Sequence, residues 1–193
     1  MQPEAPLNAN GVCPNLVRFD SDDMQVIEEW SDYAATALSC GSSAIVAATR
    51  PHLEAILSRL QNCRANLFSA VEEGRFQALD AAETLSRFLA NGQINERRFK
   101  EIVGGAITRA AASSLERDGR AVVFGEMVAL LWADGQLEAA IALERLWNVL
   151  AQSHTFTLRC AYPHTAVDED GGTTFRRICA EHSAVLVDGA MEN

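Results

Sequence analysis

The sequence lacks the motifs with which proteins usually hold nucleotide phosphates. It contains neither GxGxxG nor GK[ST], whose glycines allow backbone N–H groups to wrap the phosphates. Cationic residues are also scarce, with 16 Lys and Arg against 26 Asp and Glu and a formal net charge of -10. Because nucleic-acid affinity comes largely from Lys and Arg that neutralise phosphates, this charge argues against nucleic acid and disfavours an anionic membrane surface. A small molecule or another protein is the expected partner.

Signals for membrane insertion and secretion are missing as well. No stretch approaches the roughly 20 apolar residues of a membrane-spanning helix. Residues 1–14 carry neither the positive charge nor the apolar run of a signal peptide. The five cysteines form no CxxC pair, so we expect reduced thiols and a cytoplasmic location.

Strand and helix signals alternate along the rest of the chain. Six short runs predict strands, and segments with apolar residues at helical spacing lie between them. The six runs are residues 15–20, 43–48, 75–80, 121–124, 157–162 and 184–187. Repeated βα units predict a three-layer α/β fold with a mainly parallel sheet and helices on both faces. We predict one domain over 15–187, a disordered lead-in over 1–14 and a tail over 188–193.

Two helices in the middle of the chain have distinctive ends or interiors. Asp80, followed by Glu83, predicts a capped short helix that ends near Gly92. Asn95 is expected to cap a longer helix. The Gly104–Gly105 pair inside that helix costs about 1 kcal/mol per residue relative to Ala, which indicates either close backbone packing or a local kink.

Candidate site residues follow from the expected sheet, because ligands of such sheets bind outside the carboxyl ends of the strands. The residues that come directly after, or end, the predicted strands are Asp20, Thr49, Asp80, Glu126 and Tyr162.

Three of the residues near these strand ends allow two interpretations each. Arg50 and His52 open a helix, where they could hold a small anion or be ordinary solvated side chains. Glu126 is either a first-turn acid favoured by the helix dipole or a partly desolvated carboxylate available to a polar ligand.

Cys179 and His182 are the remaining candidates. They lie three residues apart, on one face of a predicted last helix. They could form a reactive thiol–imidazole couple, half of a metal site completed by His164, or a half-buried Cys beside a capping His. Cys160 is expected to be an inert core thiol. No standard zinc spacing and no GxSxG motif occurs, so we expect no metal, no cofactor and no enzymatic activity.

Several ordered motifs occur together along the chain, at residues 79–85, 98–99, 124–135, 143–148, 160–163 and 178–183. Together they resemble one known family, the MEDS or methanogen/methylotroph sensory domain, and the resemblance covers about Asn15 to Val187. It implies a RecA-like fold, related to circadian-clock ATPases, that has lost the phosphate loop. Residues 49–52 would then stand in place of that loop, with Glu126 near the acidic end of the Walker B strand.

The resemblance also implies a function. Such domains are thought to sense small hydrocarbon derivatives in bacteria or archaea, often beside histidine kinases or DNA-binding regulators. We therefore expect a free-standing cytoplasmic sensory domain that binds a small organic ligand and signals to a separate partner. The alternative is a ligand-free module that docks on a histidine kinase or transcription regulator; self-association and a residual hydrolase activity are further options.

One departure from the family bears on the ligand. Members usually begin the first strand with His and end it with Phe-Tyr, whereas this chain has Asn15 and Phe19–Asp20 there. If the usual His and Tyr help define the pocket, the ligand of this chain differs from theirs.

Overall fold

The computed structural model describes residues 15–20, 22–63, 66–116, 119–163, 173–187 and 190–192. Their strands are β1 (Asn15–Asp20), β2 (Ser43–Ala48), β3 (Phe76–Asp80), β4 (Leu89–Ala90), β5 (Gln93–Ile94), β6 (Ala121–Gly125), β7 (Phe156–Pro163), β8 (Ala184–Val187) and β9 (Ala190–Glu192). The predicted lead-in lies outside the described residues. Part of the predicted tail, 190–192, adds a strand.

Helices account for most of the remaining described residues. They are α1 (Asp23–Ser39), α2 (Arg50–Asn62), α3 (Leu67–Glu72), α4 (Ala81–Ser86), α5 (Glu96–Phe99), α6 (Gly105–Ser113), α7 (Met127–Ala133), α8 (Leu137–Ala151) and α9 (Thr173–Cys179). A π-helical segment, Lys100–Gly104, joins α5 to α6. None of the helices in the described part of the chain is long and apolar enough to cross a membrane.

The main sheet has seven strands in the order β3-β2-β6-β7-β1-β8-β9. Neighbouring strands are parallel, except for the antiparallel pair β8–β9. Side chains alternate across the sheet: Val46 packs into a core with α1, α2 and α3, while Ile45 packs into a second core with α6, α7 and α8. The predicted three-layer α/β fold with a mainly parallel sheet is confirmed.

A β-hairpin replaces the second half of one predicted helix. The helix capped by Asp80 ends at Ser86 rather than near Gly92. Strands β4 and β5 follow, joined by Asn91 and Gly92 with positive φ values of 52° and 70°. Asn-Gly favours such a two-residue turn because both residues tolerate positive φ. The prediction was wrong because this turn signal was treated as a helix end.

The long helix predicted after Asn95 is confirmed, with an irregularity at its glycines. Asn95 accepts a hydrogen bond from the Arg98 N–H at 3.0 Å, and the π-helical turn ends at Gly104. A Cβ atom added to Gly104 would lie 3.3 Å from Cδ2 of Leu150 in α8. Close packing and a local change of helix type therefore occur together.

Strand order places a topological switch point at the carboxyl ends of β2 and β6, which we call the β2–β6 crevice. The helix after β2 packs in one core through Ile56 and Leu60, and the helix after β6 packs in the opposite core through Met127 and Leu131. Because β2 and β6 are neighbours, the chain leaves them toward opposite faces. Ligands of open α/β sheets bind at such a switch point.

Candidate functional site

Glu126 bridges the two strands at this switch point. Its side chain accepts a hydrogen bond from the Thr49 N–H at 2.7 Å and from Nδ1 of His52 at 2.5 Å. The residue is only 5% exposed. Although Glu126 is the N-cap residue of α7, its side chain makes no capping bond to that helix. The carboxylate therefore belongs to the crevice rather than to the first turn of its own helix.

The amino end of α2 is occupied by this carboxylate. Thr49 is the N-cap residue, and Pro51 removes one N–H donor from the first turn. A helix N-terminus attracts anions, and at α2 the carboxylate of Glu126 occupies the position that an external anion would take. Arg50 instead pairs with Asp80 at 3.2 Å and is largely exposed. The arrangement is unfavourable for a phosphate, which would meet the charge of Glu126.

His52 connects the crevice to solvent. Its hydrogen bond with Glu126 raises the pKa of the imidazole above its ordinary value; burial opposes this, and the charges of Glu126 and Asp23 add to it. Nε2 of His52 lies 3.7 Å from Oδ2 of Asp23, and the His52 side chain is 21% exposed. An acid therefore lies on each side of a ring that solvent reaches.

The two other aspartates at strand ends have different positions. Asp80 caps α4, because its side chain accepts a hydrogen bond from the Glu83 N–H at 2.9 Å. Of the predicted reciprocal cap, this half is observed. Asp20 ends β1 opposite Pro163 of β7, and its side chain lies outside what the structure describes.

Tyr162 lies in the core rather than in the β2–β6 crevice. It is 2% exposed, its ring stacks on Phe19 at 5.2 Å, and its hydroxyl donates to Oε1 of Glu144 at 2.8 Å. Burial raises the pKa of Tyr162 well above its ordinary value, and the charge of Glu144 raises it further. The strand-end position of Tyr162 was predicted, but its partner was not.

His182 also faces Glu144. Helix α9 ends at Cys179, so the prediction that His182 shares a helical face with Cys179 is wrong. The ring turns back instead, and its Nδ1 donates to the Ile178 carbonyl at 2.8 Å, which is the capping alternative. Nε2 of His182 lies 3.3 Å from Oε2 of Glu144. His164, the candidate for a further ligand in the metal-site alternative, lies outside the described residues.

Glu144 is the residue that sequence reasoning missed. It is fully buried in α8, on the apolar stripe that contains Ala140 and Trp147. A charged residue at helical spacing within an apolar stripe is a usable signal, because charges are almost never fully buried unless paired. The predicted site residues are thus divided between the crevice at Glu126 and a buried cluster at Glu144.

Comparison with known families gives one match. The family described as MEDS, MEthanogen/methylotroph, DcmR Sensory domain, matches residues 18–183. No curated protein matches the chain with significance.

Proposed function

We propose that this chain, which belongs to the MEDS family of sensory domains, binds a small organic molecule in the β2–β6 crevice and signals to a separate partner. The crevice is formed by Thr49, His52 and Glu126. One observation carries the proposal: a carboxylate that is 5% exposed closes the amino end of α2 and holds a solvent-accessible histidine.

Charge in the crevice favours neutral or cationic ligands. Glu126 and Asp23 flank the His52 ring, and the whole chain carries a formal net charge of -10. A short alcohol or amine can donate a hydrogen bond to either carboxylate, whereas an anion is repelled by both. The same charges support the proposal that the chain is not a nucleotide-hydrolysing enzyme, because they repel phosphate.

Helix α2 supports a route from ligand to partner. It begins at the crevice and runs to Asn62, shortly before α3. On α3 the side chains of Phe68 and Val71 are 72% and 51% exposed, and they lie three residues apart on one helical face. A ligand that competes with His52 for Glu126 would loosen the start of α2. We propose that a cytoplasmic histidine kinase or regulator docks at Phe68 and Val71 and reads this change.

Thermal unfolding of the full chain with short alcohols, amines, halogenated alkanes and Mg-ATP tests the ligand site. A ligand at about 100 times its Kd stabilises the fold by about 2.7 kcal/mol. For a domain of this size that raises Tm by roughly 5–10 °C. We expect such a shift with an uncharged or cationic compound and none with Mg-ATP.

Two substitutions of the same kind locate the binding site. Glu126→Gln removes the buried charge of the crevice and should abolish the shift, while Glu54→Gln, at an exposed position of α2, should retain it. If Glu126→Gln shifts as much as the unmodified chain, the ligand binds elsewhere. If no compound raises Tm, the ligand-free interaction module is the better description.

A further inference from the structure

Three side chains with metal-binding atoms meet in the core below the sheet. They are Glu144 from α8, Cys160 from β7 and His182 from the turn before β8, and their ligand atoms all lie within 4.8 Å of one another. The side chains of Glu144 and His182 are 0% exposed, and Cys160 is 1% exposed. We call these three residues the buried triad.

The orientation of the His182 ring leaves a gap in the hydrogen bonding of the buried triad. Nδ1 faces the Ile178 carbonyl at 2.8 Å and must donate to it, because a carbonyl oxygen only accepts. In the neutral ring, Nε2 then presents a lone pair toward Oε2 of Glu144, 3.3 Å away. Among the described residues neither atom has a hydrogen-bond partner. Two buried acceptors then face each other, and a positive species must lie between them, either a proton on Nε2 or a metal ion.

We propose that the buried triad binds one divalent transition-metal ion of the zinc class through Oε2 of Glu144, Sγ of Cys160 and Nε2 of His182. Mixed carboxylate, thiolate and imidazole ligands suit Zn²⁺ rather than Mg²⁺ or Ca²⁺, which take oxygen ligands. Tetrahedral zinc with the usual bond lengths separates its N and O ligands by about 3.3–3.5 Å. The observed separation of 3.3 Å between Nε2 and Oε2 meets this requirement.

The surroundings of the buried triad resemble those of metal sites in general. A metal-bound imidazole donates its other N–H to a carbonyl or carboxylate, and a metal-bound carboxylate accepts further hydrogen bonds. Ile178 supplies the carbonyl, and the hydroxyl of Tyr162 donates to Oε1 of Glu144 at 2.8 Å. Glu144 and His182 are thus each held through one atom, Oε1 or Nδ1, while the proposed metal-binding atom, Oε2 or Nε2, stays free.

Metal binding would leave the core electrically neutral. The S–H bond of Cys160 breaks, an S–metal bond forms and the proton passes to solvent. The two negative charges of the carboxylate and the thiolate then balance the divalent ion. Three protein ligands leave one tetrahedral position, which water or a small exogenous donor can take.

Titration of the metal-free full chain with Zn²⁺ and Co²⁺ tests the site. We expect one ion per chain and, with Co²⁺, the near-ultraviolet charge-transfer band of a cobalt–thiolate bond. Cys160→Ser should remove that band. Cys160→Ser and His182→Gln should each weaken Zn²⁺ binding by at least the roughly 10–100-fold that loss of an outer hydrogen-bond partner costs.

Matched variants separate this site from other thiols and imidazoles. Cys63→Ser and His154→Gln, at half-buried positions outside the buried triad, should leave the affinity and the cobalt band unchanged. Binding that survives both Cys160→Ser and His182→Gln would overturn the proposal. The absence of binding would overturn it as well, and a proton on His182 would then lie between Nε2 and Oε2 of Glu144. Far-ultraviolet circular dichroism checks the fold of each variant. If Cys160→Ser does not fold, the cobalt spectrum of the unmodified chain decides, because lack of a thiolate band excludes Cys160 as a ligand.

Discussion

The two buried glutamates, Glu126 and Glu144, show how single residues set the chemistry of this chain. A buried carboxylate is strongly unfavourable unless it is paired and hydrogen-bonded. Glu126 is bonded to the Thr49 N–H and to the His52 ring, and Glu144 to Tyr162, with His182 3.3 Å away. Each acid therefore depends on partners from distant parts of the sequence.

The pH dependence of stability should reveal the pair formed by His52 and Glu126. The pKa of His52 is raised in the folded chain, so the folded state holds its proton more tightly than the unfolded state does. The stabilisation from this pair is then fully present below the ordinary pKa of 6.5 and is lost as pH rises through the raised value. In urea unfolding, the unmodified chain should exceed His52→Gln in stability by more at about pH 6 than at about pH 9.

His154→Gln is the control for this measurement. His154 lies in the turn after α8, bonded to Thr108 and Ser153, away from Asp23 and Glu126. If the difference in unfolding free energy between the unmodified chain and His52→Gln is constant with pH, or grows toward alkaline pH, the assigned pair is wrong.

Among the elements, the helix from Glu96 to Ser113 combines a local irregularity with a tight contact. Its π-helical turn ends at Gly104, where an added Cβ would meet Leu150 of α8 and His154, which follows that helix. The nearest atom for a Cβ on Gly105 is Nη1 of Arg109 at 3.4 Å. Arg109 has a flexible side chain that can move aside. Leu150 is 3% exposed and held in the core. Adjacent glycines with similar helical backbone thus have different neighbours.

Replacing these glycines one at a time should separate helix propensity from packing. Gly105→Ala should stabilise the chain by about 0.5–1 kcal/mol, because Ala is the better helix former and the space is available. Gly104→Ala gains the same propensity but overpacks Leu150, at a cost of roughly 1–3 kcal/mol. Urea denaturation should therefore rank Gly105→Ala above the unmodified chain and Gly104→Ala below Gly105→Ala. Equal stability of the two variants would contradict the contact with α8.

At the scale of the whole molecule, α2 links the crevice to the opposite end of the helical layer. It packs beside α1 in one core, and Arg59 near its end pairs with Glu28 of α1 at 2.9 Å. Leu60 of α2 and Leu67 and Ala70 of α3 lie in that same core, which supports the proposed route from the amino end of α2 to α3. Communication of this kind needs direct evidence of coupling.

Hydrogen exchange provides that evidence without a known ligand. Glu126→Gln weakens the bonds to Thr49 and His52, so amide exchange should accelerate along α2 as far as Cys63 and in α3, while α6 remains unchanged. The matched Glu54→Gln variant should exchange like the unmodified chain. Acceleration confined to the first turn of α2 would show that the crevice is not coupled to α3.

Much of the fold could be predicted from the sequence, because strands and helices follow from the local spacing of apolar residues. The strand positions and the Asn95 cap depend on near neighbours in the chain. The β4–β5 hairpin was missed although Asn91–Gly92 signalled it. The positions of Thr49 and Glu126 at strand ends also followed from the predicted sheet.

The sequence by itself thus determined the fold class, the absence of phosphate-binding motifs and the set of strand-end residues, since these depend on local pattern and composition. Tertiary structure alone decided which of those residues meet. Glu126 and His52 are 74 positions apart, and Glu144 and Tyr162 come from different elements. Strand order and side-chain direction bring such residues together, and neither can be read from spacing along the chain. The spacing of α8 signalled a buried acid at Glu144, but only the tertiary structure brings it together with Cys160 and His182 in the buried triad.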